Sequence, residues 1–481
     1  MKKVRTAIET HYAIHLDDVG AGAVSAIKAR FTRDNPKWWN NKRLGFSNWN
    51  VERKLRSWRI EDDWLLLPRG ARGEVEAILD KRGYEPGPVW DRTIKLEPLK
   101  LELHGTLRPY QDEASDKLVA AGTGALRGPC ASGKTVIMLA AIAKLQQPTI
   151  VVVHSDFLFR QWRAGIAEWL DYVPGALGAG KENLKPITVA MQQTLCRRRG
   201  APWVREFGCL MADELQHWGA KTFQTVAGMF PARYRLGCSA DERRKDGKHA
   251  FIYETFGECV HKIGREELEQ LGRLVPTRME IVPTAFESEA YLAAVLRGEP
   301  PDWGSMLDDL TSDDERCTLI ADHADRILKQ RGTRVLMLTE RVAACGRMAR
   351  EMRERGHRCA SLVGGHRNKE AVERAVQQMR AGHLRCAVGT QVADEGLDIP
   401  ALTHVLVTCP VHNHPKRLQQ MVGRAAREHG RKREGVCVYF WDRMMFPAPD
   451  PEQDSGGGRT GRERALQRRL GSVCGSWEVV K

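Results

Sequence analysis

Apolar positions along the chain repeat one rhythm twice: short strand-like runs separated by longer stretches of helical spacing. Between residues 128 and about 262 the runs predict strands at 149–154, 187–191, 209–213 and 234–239. The rhythm resumes with strands expected near 334–339, 358–363, 385–389, 404–408 and 435–440. Strand and helix in alternation is the signature of a parallel sheet with crossover helices. Leu107-Arg108-Pro109-Tyr110-Gln111 opens a further helical pattern that runs to about Ala121. Pro283, Pro300, Pro301 and the acidic run from Asp308 to Glu315 lie between the two series and are expected to form a hinge. The tail from 451, with Ser455-Gly456-Gly457-Gly458-Arg459, is expected to be a flexible basic segment.

This pattern predicts an α/β chain of two tandem domains, each a parallel sheet with helices on both faces, preceded by a small α+β domain. The boundaries expected are 1–100, 101–275, a linker at 276–315, 316–447 and a tail at 448–481. A length of 481 residues agrees with about three domains. No apolar run approaches the roughly 18 residues that a membrane span needs, and the N-terminus carries no apolar signal core. The twelve cysteines stand singly, with no Cys-x-x-Cys pair to suggest zinc or redox chemistry. A reduced cytoplasmic setting, in a prokaryote or a phage, is expected.

The formal net charge of +14 favours a polyanionic partner. The bias is concentrated near the start. Ten basic residues face two acidic ones between Lys28 and Arg59, and six of the thirteen tryptophans (Trp38, Trp39, Trp49, Trp58, Trp64, Trp90) fall within the first hundred residues. Aromatics interleaved with Lys and Arg, including Trp38, Lys42 and Arg43, suit a surface that contacts phosphates and stacks on bases. The alternative is a small domain whose tryptophans form its core.

The chemistry is densest at Gly128-Pro129-Cys130-Ala131-Ser132-Gly133-Lys134-Thr135, which fits G-x-x-x-x-G-K-[ST]. In such a loop the glycines let the backbone surround a phosphate, the lysine reaches the β- and γ-phosphates, and the Thr hydroxyl takes one position on Mg²⁺. Gly128, Ala131, Ser132, Gly133, Lys134 and Thr135 are therefore the nucleotide-binding candidates. Asp213-Glu214 ends the strand expected at 209–213, where ligands of parallel sheets bind. Asp213 suits a Mg²⁺ ligand, and Glu214 a base for the attacking water. Gln111, just upstream of the loop, could pair its amide with an adenine edge. Arg424 and Arg427 are three apart and would share a helix face, where their guanidinium forks could meet phosphate oxygens.

In order, these blocks resemble the motifs of a superfamily 2 helicase over about residues 100–445, most like the XPB and UvsW group. The likeness implies ATP and Mg²⁺ in a cleft between two RecA-like domains, with DNA across both and RNA the weaker candidate. It implies nucleotide contacts from Arg108, Gln111, Gly396 and Asp398, with Gln420, Arg424 and Arg427 acting at the γ-phosphate. It also implies nucleic-acid contacts from His154, Gln161, Trp162, Thr188, Gln192, Arg244, Thr339, Gly364, Thr390 and Gln391. The implied activity is an ATP-dependent DNA helicase or translocase of 3′ to 5′ direction. A double-strand translocase, an RNA helicase and a non-catalytic binding subunit remain alternatives. Two positions depart from the pattern: Gln216 stands where relatives carry His, leaving its role to Gln216 or His217, and Asp241 stands where Thr is usual.

Overall fold

The structure is a computed structural model. It describes residues 1–43, 45–129, 131–215, 220–240, 250–299, 302–364, 368–390, 399–410, 415–430, 432–442 and 476–479. The chain divides into two compact units, Met1–Gly264 and Arg265–Lys481.

The first unit opens with β1 (Lys2–Ile8), β2 (Tyr12–His15), β3 (Thr32–Asp34), β4 (Lys54–Arg56), β5 (Arg59–Glu61), β6 (Trp64–Leu67) and β7 (Tyr84–Asp91). Five of these form a sheet ordered β5-β6-β2-β1-β7, while β3 and β4 make a separate antiparallel ribbon. Its core gathers Val4, Tyr12, Ile14, Ile27, Phe31, Leu65, Leu67, Val75 and Leu79 from the sheet and from helices Ala21–Arg30 and Arg72–Asp80. Trp58 lies only at the margin of this core, and Trp39, Trp49 and Trp90 are exposed. The tryptophans therefore do not hold this sheet together.

The larger sheet of the first unit contains β8 (Thr123–Arg127), β9 (Thr149–Val153), β10 (Gly175–Gly178), β11 (Lys181–Asn183), β12 (Ile187–Met191), β13 (Cys209–Ala212), β14 (Tyr234–Ser239) and β15 (Cys259–Lys262). Its order is β11-β10-β12-β9-β13-β14-β8-β15, parallel throughout except for the β10–β11 hairpin. Strands β9, β12 and β13 are buried along their whole length, as sheets covered on both faces require.

The second unit contains β16 (Thr277–Thr284), β17 (Val335–Leu338), β18 (Cys359–Leu362), β19 (Cys386–Gly389), β20 (His404–Val407), β21 (Gly435–Asp442) and β22 (Ser476–Val479). They form one parallel sheet ordered β18-β19-β17-β20-β21-β16-β22.

Two expectations change here. The segment read as a hinge contains β16, which pairs with β21 along its full length. Pro283 is tolerated because β22 pairs only Arg278–Ile281, so that this proline lies where the strand has a neighbour on one side. The acidic run is not a linker either. Asp302 accepts from Ser305 N and Asp313 from Arg316 N, capping helices Trp303–Ser312 and Asp314–Lys329. Within the tail, Ser476–Val479 is a strand and not a flexible segment. Among the described residues no helix is long and apolar enough to cross a membrane.

Candidate functional site

Strands β8 and β14 end together, and β9 and β13 end within two residues of that level. Arg127 lies opposite Ser239, and Ala212 opposite both Val152 and Gly237. The loops that follow them therefore emerge together at the carboxyl edge of the sheet, where parallel α/β folds place ligands.

Gly128 begins the loop after β8, and Lys134 begins the helix Lys134–Leu145. Ala131 and Gly133 both take positive φ, 70° and 77°. At Gly133 the conformation is backed by crowding, since a Cβ there would collide with the Gln111 amide nitrogen. Ser132 Oγ is buried in the loop without a hydrogen-bond partner, and the Tyr110 hydroxyl donates to Ser132 O at 3.2 Å. Lys134 Nζ donates to Gly128 O at 3.0 Å and Pro129 O at 3.3 Å, which holds the ammonium over the loop. Backbone of this shape at a helix N-terminus, with an unsatisfied hydroxyl and a lysine over it, fits a phosphate chain.

Gln111 is buried beside this loop, but its Oε1 accepts from Arg108 N at 3.1 Å and caps the helix Pro109–Ala121. The expectation that both ends of its amide face a base changes accordingly: the acceptor is committed to the cap. Arg108 is exposed at that cap, and Thr135 is half-buried in the first turn of the following helix.

Asp213 directly follows β13 and is almost fully buried. Its Oδ2 accepts from Trp162 Nε1 at 2.7 Å, and its Oδ1 accepts from Glu214 N at 2.7 Å and from the Cys238 thiol at 3.0 Å. Burial, then the neighbouring Glu214 carboxylate, push the Asp213 carboxyl above its ordinary value, while Cys238, Trp162 and the Lys134 charge pull it back. The oxygen atoms of the Asp213 carboxylate and of the Thr135 hydroxyl in the first turn of the helix after the loop are the kind of ligand that a hard divalent ion takes. Glu214 itself takes φ 49°, a left-handed conformation costly for a residue with a side chain, in the turn that follows the strand.

Several expected nucleic-acid contacts are enclosed. Trp162 is fully buried and serves Asp213, not a strand of DNA. Thr188 is fully buried in β12, with its hydroxyl donating to Lys185 O at 2.7 Å. Thr339 is buried with its Oγ1 against Cys409 Sγ at 3.4 Å, and Thr390 is buried too. Trp162 faces inward from the helix Asp156–Leu170, and the three threonines lie in or at the end of strands buried along their whole length. His154, Gln161, Gln192 and Gly364 are half-buried. Near the N-terminus the expectation meets an open surface. Trp38 and Trp39 pack edge to face at 4.9 Å, with Lys42 and Arg53 each within 5.6 Å of both rings, and Trp49 is 82% exposed. Arg43 is exposed at the end of the same helix, Pro36–Arg43.

In the second unit, Arg424 is buried near the end of helix Pro415–Ala425. Arg427 is not on that helix. The chain leaves it after Ala425, Ala426 O accepts from Val275 N at 2.7 Å, and Arg427 pairs with Leu274 in an antiparallel bridge. The shared helical face expected for the two arginines is replaced by this tether. Cys130, Gln216, His217, Asp241, Arg244, Gln391, Gly396 and Asp398 lie outside the described residues, as does the side chain of Gln420.

From the sequence Cys238 reads as a buried hydrophobe and Trp162 as a nucleic-acid contact; the structure buries both, as expected for Cys238, and adds a hydrogen bond from each to Asp213 that no sequence pattern signals. They stand 25 and 51 residues from Asp213, and only the adjacency of β9, β13 and β14 unites them.

Residues 104–242 match the family described as the type III restriction enzyme res subunit, and residues 318–429 the helicase conserved C-terminal domain. A Rad25 protein of Halobacterium salinarum is 28% identical over 384 residues, covering 77% of this chain and 61% of that protein. The DNA 3′-5′ helicase XPB of Mycobacterium tuberculosis is 24% identical over 411 residues, 82% of this chain and 71% of that one. The DNA 3′-5′ translocase XPB2 of Sulfurisphaera tokodaii is 26% identical over 355 residues, 67% and 79%. The chain thus spans less than two thirds of the Halobacterium relative. Among solved structures, the ATP-dependent type ISP restriction-modification enzyme LlaBIII bound to DNA aligns with a TM-score of 0.52 at 15% identity, over 79% of this chain and 30% of that one.

Proposed function

The chain belongs to the superfamily 2 helicases of the XPB type, and we propose that it is an ATP-driven motor that moves 3′ to 5′ along DNA and unwinds or remodels it. The observation that carries this reading is the convergence of the phosphate loop and Asp213-Glu214 at one edge of the first unit's large sheet.

In this reading Lys134 neutralises the β- and γ-phosphate oxygens as charge builds on them. Thr135 and Asp213 would hold Mg²⁺, which would supply Lewis-acid stabilisation of the negative charge on the phosphates. Glu214 orients the attacking water and takes its proton. The Trp162 indole, the Cys238 thiol and the Glu214 amide favour the ionised form of Asp213 that a ligand needs, against the burial and the Glu214 charge that raise its pKa. Arg424 and Arg427 are the cations proposed for the γ-phosphate. Trp38, Trp39 and Trp49, with Lys42, Arg43 and Arg53, are proposed as a platform for bases and backbone phosphates.

Steady-state ATP hydrolysis tests this, measured alone and with single-stranded DNA, duplex DNA, a four-way junction and RNA at matched nucleotide concentration. Stimulation by DNA above RNA is expected. Lys134→Ala and Glu214→Gln should each lower kcat by about 100-fold or more, with DNA affinity retained. The translocase relative favours one variation on this reading: stimulation by duplex or junction with little unwinding of a tailed duplex. Absence of hydrolysis under every condition rules the reading out.

A further inference from the structure

A second cavity of the first unit lies apart from the carboxyl-edge site. It measures about 190 Å³ and is lined by Thr10 and His11 from the β1–β2 turn, Arg56, Ser57 and Arg59 from the β4–β5 connection, and Arg235 from β14. Arg235 is near the amino end of β14, whereas Cys238, the residue that serves Asp213, is near its carboxyl end. At 3.3 Å per residue the two are about 10 Å apart along the strand, so this cavity opens toward the opposite edge of the large sheet.

Its lining contains three guanidinium groups and no aspartate or glutamate. Among the described carboxylates, Glu61 accepts from Arg59 Nε at 2.5 Å, and the buried Glu254 lies against the Ser57 side chain and is paired with Arg33. Arg235 is 1% exposed. One of its terminal nitrogens donates to Thr10 O, Ala227 O and Phe230 O at 2.8–2.9 Å, and its Nε has no hydrogen-bond partner. Carbonyls satisfy hydrogen-bonding capacity but not charge. A guanidinium buried without a counter-ion carries a desolvation cost of several kcal/mol, and a merely structural brace would do as well with a neutral donor.

Arg69 compounds the imbalance. It too is buried, donates to Ala232 O and Arg233 O, and repels Arg235. His11 reports the same field: burial, then Arg59 and Arg235, push it down to about 3. The imidazole is thus neutral and adds a hydrogen-bonding group without a further charge to solvate. The volume is ample for a tetrahedral oxyanion with a few waters, each of which takes about 10–15 Å³ on this measure.

We propose that this cavity is a phosphate-binding site distinct from the phosphate loop, with Arg56, Arg59 and Arg235 receiving one phosphate group. Guanidinium forks match phosphate oxygens in pairs, and the hydroxyls of Thr10 and Ser57 complete the polar lining. The group can be a backbone phosphate of nucleic acid or free phosphate, since the chemistry recognised is the same. The site stands independently of ATP turnover.

The test is calorimetric titration of inorganic phosphate into the full chain carrying Lys134→Ala, which disables the phosphate loop. Arg56→Gln with Arg59→Gln is then added; both residues are exposed, so that folding is spared where Arg235→Met would endanger it. One phosphate per chain is expected, weakened by about tenfold or more in the triple variant, the loss of two charge-assisted contacts. A single-stranded oligonucleotide titrated at constant ionic strength with and without saturating phosphate separates the sources. Competition between the two identifies a backbone phosphate as the occupant, and independent binding identifies free phosphate. If the Lys134→Ala chain binds no phosphate, or if the triple variant binds it equally well, the proposal fails.

Discussion

Asp213 lies in two environments at once: burial and Glu214 favour its protonated form, and the Trp162 indole, the Cys238 thiol and the Glu214 amide favour the ionised form. On the proposed reading Asp213 is a Mg²⁺ ligand, which must be ionised, so this balance would set the acid limb of ATP hydrolysis. Trp162→Phe removes one donor while keeping most of the ring's volume. One hydrogen bond to a charged group contributes about 1.5–3 kcal/mol, so the acid limb of the kcat profile should move up by about one to two pH units. A profile that falls uniformly, without a shift, would assign Trp162 to packing alone. Lys432 offers a stability reading of the same kind. Burial, then Arg427, push its ammonium down to about 7, and it donates to Leu402 O and Arg427 O at 2.6–2.7 Å. Its unfolded value is about 10.4. Between these values the unfolded chain holds more protons, so this residue's contribution to stability rises with pH from about 7 to about 10. Urea denaturation at both ends of that window should show a steeper rise for the wild type than for Lys432→Met.

At the scale of elements, the second unit is tied by an ion pair. Arg316 donates from Nε and a terminal nitrogen to both Asp442 oxygens at 2.7 and 3.1 Å, and further to Thr408 O, while Thr284 Oγ1 donates to Asp442 Oδ1. This network joins helix Asp314–Lys329 to β16, β21 and the end of β20, with both charged groups buried. Arg316→Met leaves an uncompensated carboxylate and should cost about 3–5 kcal/mol by chemical denaturation. Arg316→Met with Asp442→Leu should recover most of the loss, because well-packed apolar pairs often replace buried ion pairs at little cost. The N-terminal aromatic platform belongs to this scale too. Trp39→Ala with Trp49→Ala should weaken single-stranded DNA binding by about 1–3 kcal/mol per stacked base, read by fluorescence anisotropy, with basal ATP hydrolysis unchanged.

For the whole molecule, the proposed nucleic-acid binding by a chain of net charge +14 should weaken as salt rises. The slope of log affinity against log salt should shrink when Lys42, Arg43 and Arg53 are replaced by Gln, whereas Lys134→Ala should leave it unchanged. The strand positions, the alternation of strand and helix, the phosphate loop and Asp213-Glu214 at a strand end are local properties, and a hydrophobic period or a short motif is enough to read them. Local cues also misled where one residue type serves two purposes. Acids expected in a linker turned out to be helix caps at Asp302 and Asp313, and a proline expected to break structure sits in β16. The partners of Asp213, the burial of Trp162 and Thr188, the parting of Arg427 from its helix and the gathering of Arg56, Arg59 and Arg235 around one cavity depend on strand order and chain crossing. These bring together residues far apart in the chain, and no periodicity carries that information; only the packed sheets decide which side chain is enclosed and which meets a ligand.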